Sequence, residues 1–217
     1  MKKKPPLHSG SAFTLVELLA VVAILVVLVI MSFAGVQASA RKARLADSTS
    51  AMKNIGGALS LYAMDNGVLP GPMLARHYPN ANSPNHLLGR IWPYLGFTEK
   101  PAKDEMPRAF VPRHWAEWAQ QSYLKNPGTK VTIYNTPSTL KDREGVARLV
   151  PFGYPGTIGS VPTPWSGIAS SAQLTTTSIV EDSTGTTGEG LSPKVGELQN
   201  YRLRLFLDWH IEAQKLP

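Results

Sequence analysis

The sequence predicts an α+β protein in which a long N-terminal helix packs on a small antiparallel sheet within a loop-rich head. Three observations predict this class. An apolar run of 23 uncharged residues extends from Leu18 to Ala40. A stripe of apolar residues at helical spacing follows it, and a segment near the C-terminus alternates apolar and polar side chains as a strand does. Four parts are therefore expected, with boundaries at 1–12, 13–40, 41–66 and 67–217.

The first part, residues 1–12, is a basic leader that contains Lys2, Lys3 and Lys4 and no acidic residue. The whole chain has 22 Lys and Arg against 15 Asp and Glu, a net charge of +7, and without the leader the count is 19 against 15, or +4. Beyond Asn66 there are 15 basic and 12 acidic residues with no dense basic run. Binding to nucleic acid is therefore not expected.

The second part, residues 13–40, is predicted to be a membrane-spanning helix. The apolar run meets the length of about 20 residues that such a helix needs, and it exceeds the core of about 7 to 15 residues of a signal peptide. Glu17 lies near its start, where a charge costs less than the roughly 2.5 to 3.5 kcal/mol expected at the bilayer centre. Either Glu17 only marks the helix start, where an acid suits the helix dipole, or it forms an ion pair with a partner chain.

The third part, residues 41–66, continues the helix with one apolar face. Steps of seven, three, four and three residues predict a face that packs in the core of the head, formed by Leu45, Met52, Ile55, Leu59 and Tyr62. The pair Gly56–Gly57 is either a weak point in the helix or a place of close packing. Asn66, Gly67 and Pro70 predict the helix end.

The head, residues 67–217, is large enough for one modest core. Gly and Pro make up 30 of the 152 residues from Asn66 onward, so long connections are expected. A short helix is predicted within 106–125. Strands are predicted at 129–134, 147–152, 178–181 and 201–211, and the last has the clearest alternation.

The chain contains no recognisable catalytic motif. It lacks the His-Glu-x-x-His pair, the phosphate-binding glycine-lysine loop and the Gly-x-Ser-x-Gly elbow, so neither an enzyme nor a cofactor is predicted. Five histidines lack ligand spacing and are expected at the surface: His8, His77, His86, His114 and His210. The chain has no Cys and hence no disulfide.

The segment 181–200 contains Glu181, Asp182, Glu189 and Glu197 among Ser, Thr and Gly. Carboxylate-rich loops suit calcium, but this spacing fits no defined calcium loop. A solvated hairpin or loop is the main interpretation, calcium binding stays open, and no metal site is predicted.

Residues 13–19 read Phe-Thr-Leu-Val-Glu-Leu-Leu after the basic leader. This string resembles the processing site of type IV pilins and of the pseudopilins of type II secretion systems. The resemblance implies that a prepilin peptidase cuts between Ala12 and Phe13 and methylates the new amine of Phe13. It also implies that Glu17, the fifth residue of the cut chain, pairs with the amino terminus of a neighbouring subunit during filament assembly.

Two departures from the family pattern matter. The family usually has Gly before the cut, whereas this chain has Ala12, and its nearest glycine is Gly10. A cut after Ala12 keeps the spacing from Phe13 to Glu17 and follows the next smallest side chain. Near the C-terminus, 207–212 resembles an Asp-Gly-His-Val ending of pilin-like proteins, but Trp209 replaces the glycine, so a tight turn is not expected there.

The resemblance implies a structural subunit of a type II secretion pseudopilus or a type IV pilus-like filament, and the missing Cys pair favours a pseudopilin. The implied partners are prepilin peptidase, other pilin or pseudopilin subunits and an inner-membrane assembly platform. The basic residues flanking the span nearly balance, so only the resemblance places the leader in the cytoplasm and the head in the periplasm of a bacterium. The alternative is an unprocessed single-span membrane anchor that carries a periplasmic binding domain.

Overall fold

The computed structural model describes residues 14–79, 81–102, 105–125, 130–156, 160–183 and 200–216. It confirms the α+β class, because helix α1 (Leu15–Asn66) is accompanied by a five-stranded antiparallel sheet. The chain divides into two compact units, Met1–Lys42 and Ala43–Pro217. The second unit, which we call the head unit, contains the sheet and the hydrophobic core.

The sheet has the order β1-β2-β5-β6-β7, and each neighbouring pair is antiparallel. Its strands are β1 (Arg76–His77), β2 (Tyr134–Asn135), β5 (Ser178–Asp182), β6 (Tyr201–Phe206) and β7 (Ile211–Lys215). A separate two-stranded sheet pairs β3 (Leu140–Lys141) with β4 (Ala147–Leu149). The shorter helices are α2 (Leu87–Ile91), α3 (Arg113–Lys125) and α4 (Trp165–Ser171), with a 3-10 turn at Trp92–Leu95.

The second half of α1 provides the core face that the apolar stripe predicts. Met52, Ile55 and Leu59 are fully buried, and Leu45 packs at the edge of the same core. Tyr62 is only half-buried. The helix ends at Asn66 as predicted, because Gly67 takes a left-handed φ of 70° while its N–H donates to the Ala63 carbonyl at 2.9 Å.

The pair Gly56–Gly57 lies within continuous helix, and its two members have different surroundings. A Cβ at Gly56 would lie 3.1 Å from Leu205 Cδ1, so the missing side chain lets α1 approach β6 closely. A Cβ at Gly57 would meet nothing within 4 Å. The close-packing interpretation therefore holds for Gly56 alone.

The predicted strand at 201–211 is wrong in its length, because it is a hairpin of β6 and β7. The Phe206 N–H donates to the His210 carbonyl at 3.0 Å, and the Trp209 N–H donates to the Phe206 carbonyl at 2.9 Å. The expectation that Trp209 disfavours a tight turn is also wrong. Trp209 adopts a φ of 70°, and its ring stacks on Trp165 with 5.4 Å between the ring centroids.

The other predicted elements form with shifted bounds. The helix expected within 106–125 begins at Arg113, because Pro112 lacks an N–H and disfavours helical backbone at the residue before it. The strand expected at 178–181 is β5. The strand expected at 147–152 ends at Leu149, two residues before Pro151, which cannot donate to a ladder.

The strand expected at 129–134 contributes only Tyr134 to β2, which pairs with a β1 of two residues. The Ile133 N–H donates to the His77 carbonyl at 3.0 Å, and the Ile133 carbonyl accepts the Ser183 N–H at 2.8 Å. Ladder-like bonding therefore extends one residue beyond the regular strand.

The two glycines of α1 provide a matched pair of substitutions. Gly57→Ala should stabilise the head unit by roughly 0.5 to 1 kcal/mol, because alanine favours helix and meets no neighbour there. Gly56→Ala should gain less or lose stability, because its Cβ presses on Leu205. Urea unfolding of the full chain in detergent measures both, and an equal or larger gain for Gly56→Ala would contradict the close contact.

The turn at Trp209 allows a second comparison. Trp209→Ala loses the stack on Trp165 and keeps a left-handed backbone that is unfavourable to any residue with a Cβ. Trp209→Gly loses the same stack and removes that backbone cost. We expect the Gly variant to be more stable than the Ala variant by about 1 kcal/mol in the same unfolding assay. A Gly variant less stable than the Ala variant would argue against a left-handed Trp209.

Candidate functional site

The start of α1 holds the predicted site residue Glu17 in a reciprocal pair of hydrogen bonds with Thr14. Glu17 Oε2 accepts the Thr14 N–H and the Thr14 hydroxyl, both at 2.9 Å. The Glu17 N–H in turn donates to Thr14 Oγ1 at 3.3 Å. This arrangement is a capping box, in which two residues satisfy backbone donors that the first helical turn leaves unpaired.

The capping box gives Glu17 a role within its own chain. Thr14-x-x-Glu17 ahead of an apolar run is the sequence pattern of such a cap, a local signal that the interpretation of Glu17 as a lone carboxylate leaves out. A carboxylate can accept about four hydrogen bonds, and the Thr14 bonds involve Oε2. The cap therefore leaves the carboxylate able to accept a hydrogen bond from an amine of another chain as well.

Helix α1 continues from this cap as an exposed apolar segment. Every described side chain in 14–31 and 35–44 is exposed, with exposed fractions from 47% at Val21 to 81% at Leu15 among the large apolar residues. From Leu18 to Met31 the sequence contains only apolar residues, so this stretch has no polar face. Among the described residues, α1 is the one helix long and apolar enough to cross a membrane.

The cleavage residues Ala12 and Phe13, together with the leader, lie outside the described residues. Among the predicted site residues the structure therefore describes Glu17. A scan against protein-family models finds no match, and searches of curated proteins and of solved structures find no significant match.

A polar cluster in the head unit joins α1 to α3. The Arg113 N–H at the start of α3 donates to Asp47 Oδ2 at 2.7 Å, so α1 supplies the cap for a second helix. Ser48 Oγ lies 3.4 Å from His114 Nε2, and His114 Nδ1 lies 3.9 Å from Asp47 Oδ2. This cluster has no local sequence signal and was not predicted, because 66 residues separate Ser48 from His114.

This cluster has the order of a Ser-His-Asp triad, but its burial gives it a different role. Ser48 is 1% exposed and His114 8% exposed, so the serine hydroxyl has no path to an external substrate in this conformation. Such a triad also acts through a site where substrate and oxyanion donors meet the nucleophile. Here buried Ser48 and half-exposed Asp47 of α1 contact the first turn of α3 and so link the two helices.

The surface placement predicted for the histidines is wrong at three positions. His77, His86 and His114 are 0%, 6% and 8% exposed, whereas His210 is exposed as expected and His8 lies outside the described residues. Burial lowers the pKa of His77 to about 3, because a charged imidazole would lose its hydration. Burial also lowers the pKa of His86.

The acidic segment considered for calcium divides into two parts. Glu181 pairs with Arg204 at 3.1 Å and with Arg202 at 3.6 Å, and buried Asp182 accepts the Leu203 N–H at 3.2 Å. These two carboxylates therefore serve the β5–β6 pair. Residues 184–199, with Glu189 and Glu197, lie outside the described residues, and the described part of the chain contains no group of acidic and histidine residues suited to a metal.

Proposed function

We propose that the chain is a structural subunit of a type II secretion pseudopilus or a type IV pilus-like filament, with the pseudopilus favoured. Prepilin peptidase would cut between Ala12 and Phe13 and methylate Phe13. The observation that carries the proposal is the motif at residues 13–19, which leads directly into a helix with no polar face from Leu18 to Met31.

The exposed helix supports a polymer-forming or membrane-bound role. A continuous apolar surface of this extent is not stable in water and needs lipid or other apolar helices to cover it. The head unit has its own core, which includes Met52, Leu59 and Leu205, and none of the core residues lies in the apolar segment. We place the unassembled subunit in a bacterial inner membrane as a single-pass protein, with its head in the periplasm and an assembly platform as partner.

Glu17 would act in assembly through its charge. In a filament, the new amino terminus of a neighbouring subunit would approach the carboxylate at the capped end of α1. In an apolar environment an unpaired carboxylate is costly, so the need for this pair penalises a subunit that enters out of register. The Thr14 bonds would orient the carboxylate for that contact.

The capping box also favours a second candidate, the unprocessed single-span anchor with a periplasmic binding domain. Thr14 provides hydrogen-bond partners for the Glu17 carboxylate within one chain. The presence of an acid at this place therefore needs no partner subunit. Processing and assembly distinguish the two candidates.

The first test is the intact mass and amino-terminal sequence of the chain expressed with and without prepilin peptidase. We expect a product that begins at Phe13 and carries one added methyl group, formed only when the peptidase is present. An Ala12→Leu variant is the matched control and should be cut poorly, because it enlarges the residue before the junction. A chain that stays at full length under both conditions would favour the anchor.

A second test separates the charge of Glu17 from its capping bonds. Glu17→Gln removes the charge and keeps an oxygen that accepts the Thr14 N–H, so we expect normal insertion and cutting but at least a tenfold loss of incorporation into filaments. Thr14→Val removes the hydroxyl, costs about 1 kcal/mol of helix stability and keeps the charge, so it should assemble nearly normally. Sedimented filament per cell, quantified by immunoblot, measures incorporation.

The reverse result, with Glu17→Gln assembling and Thr14→Val failing, would show that the cap is the function of Glu17. Equal and normal assembly of both variants would remove the assembly role altogether.

A further inference from the structure

The buried imidazole of His77 has a fixed hydrogen-bond role at each nitrogen. The Leu87 N–H donates to His77 Nδ1 at 3.0 Å, so Nδ1 must be unprotonated. Nε2 then carries the ring proton and faces Thr136 Oγ1 at 2.8 Å. His77 is fully buried, so water cannot replace either bond.

These bonds join three pieces of the head unit. His77 lies in β1, Thr136 follows β2, and Leu87 is the first residue of α2. His86 at the N-cap position of α2 makes no side-chain cap bond, so His77 reaches across from the sheet to satisfy a donor of the first helical turn. The neutral imidazole therefore fastens α2 to the edge of the sheet.

A second histidine reinforces this connection. His86 Nδ1 donates to the Arg76 carbonyl at 3.2 Å, and its ring lies edge-on to His77 with 6.2 Å between centroids. The ring of His86 also contacts Tyr78, with 4.8 Å between centroids, and Lys130 Nζ lies 5.6 Å from the Tyr78 centroid.

The described charges that act on this pair are positive. Burial is the main cause that lowers the pKa of His77, and the positive charge of His86 lowers it further. Burial likewise lowers the pKa of His86, the hydrogen bond to the Arg76 carbonyl raises it, and Lys130 lowers it. Within the described residues, a proton taken up here would therefore add to positive charge.

We propose that His77 and His86 form an acid-sensitive latch, which holds the segment of β1 and α2 against β2 and releases it when the imidazoles are protonated. A proton on His77 Nδ1 would set two N–H donors against each other at 3.0 Å and break the bond to Leu87. The latch is a property of the head unit and does not depend on the proposed filament function.

The direction of the pH effect follows from proton linkage. In the closed form the pKa of His77 is about 3, and in the open form it returns to the ordinary 6.5. The open form thus binds more protons between these values, and the stabilisation by the neutral ring is complete above pH 6.5 and falls with decreasing pH. One titrating imidazole raises the opening constant by about tenfold per pH unit well below pH 6.5, and by about fiftyfold from pH 6.5 to 4.5.

Hydrogen exchange of the full-length chain in detergent, read by mass spectrometry and corrected for intrinsic exchange rates, tests the latch. We expect the opening constant of β1 and α2 to rise by about fiftyfold or more from pH 6.5 to 4.5, while β5 and β6 as internal reference change much less. Equal changes in the segment and in the reference strands would overturn the proposal, whatever the behaviour of any variant.

Two variants separate titration from simple loss of packing. His77→Asn keeps an oxygen able to accept the Leu87 N–H and cannot titrate, so the pH slope of the segment should drop by about one decade per pH unit. Thr136→Val removes the other partner and keeps the imidazole, so it should open more at every pH with the slope unchanged. An undiminished slope in His77→Asn would refute the assignment to His77, whereas a smaller residual slope is the share expected from His86.

Discussion

The head depends on burial of the inner face of α1. Met52, Ile55 and Leu59 are completely withdrawn from water, and each side chain of this size contributes roughly 1.5 to 3 kcal/mol when buried. Gly56 allows β6 to approach this face, so the sheet covers the stripe closely. The same helix also fixes α3 through Asp47. Short strands and long connections can form a defined structure here because one long rigid element organises them.

The sequence predicted best those elements whose signal is a period. The apolar stripe of α1 repeats over several turns, and its end is marked by Gly67, so both were predicted. The hairpin at 206–210 was missed because its turn uses Trp209, and a left-handed tryptophan has no local signal. Its stack on Trp165, 44 positions earlier in the sequence, compensates for the unfavourable backbone, and only the folded chain brings the two rings together.

The polar sites likewise could be predicted only where their residues are close in sequence. Thr14 and Glu17 are three residues apart, so their capping box could have been predicted from the sequence. The contacts of His77 with Leu87 and Thr136, and of Ser48 with His114, join segments from different parts of the chain. A histidine in a sequence of mixed polarity is ordinarily expected at the surface, and only its partners show that it can be buried neutral.

The two halves of α1 meet different physical requirements. Beyond Ala43 the helix has one apolar face, which the rest of the head unit covers. From Leu18 to Met31 every face is apolar, and the described side chains are exposed. A filament subunit and a simple anchor both need this division, so the helix alone favours neither. The distinction lies at its first turn. There the Thr14 bonds to Oε2 account for the presence of Glu17 within one chain, so a function in assembly must come from the negative charge that the capping bonds leave in place.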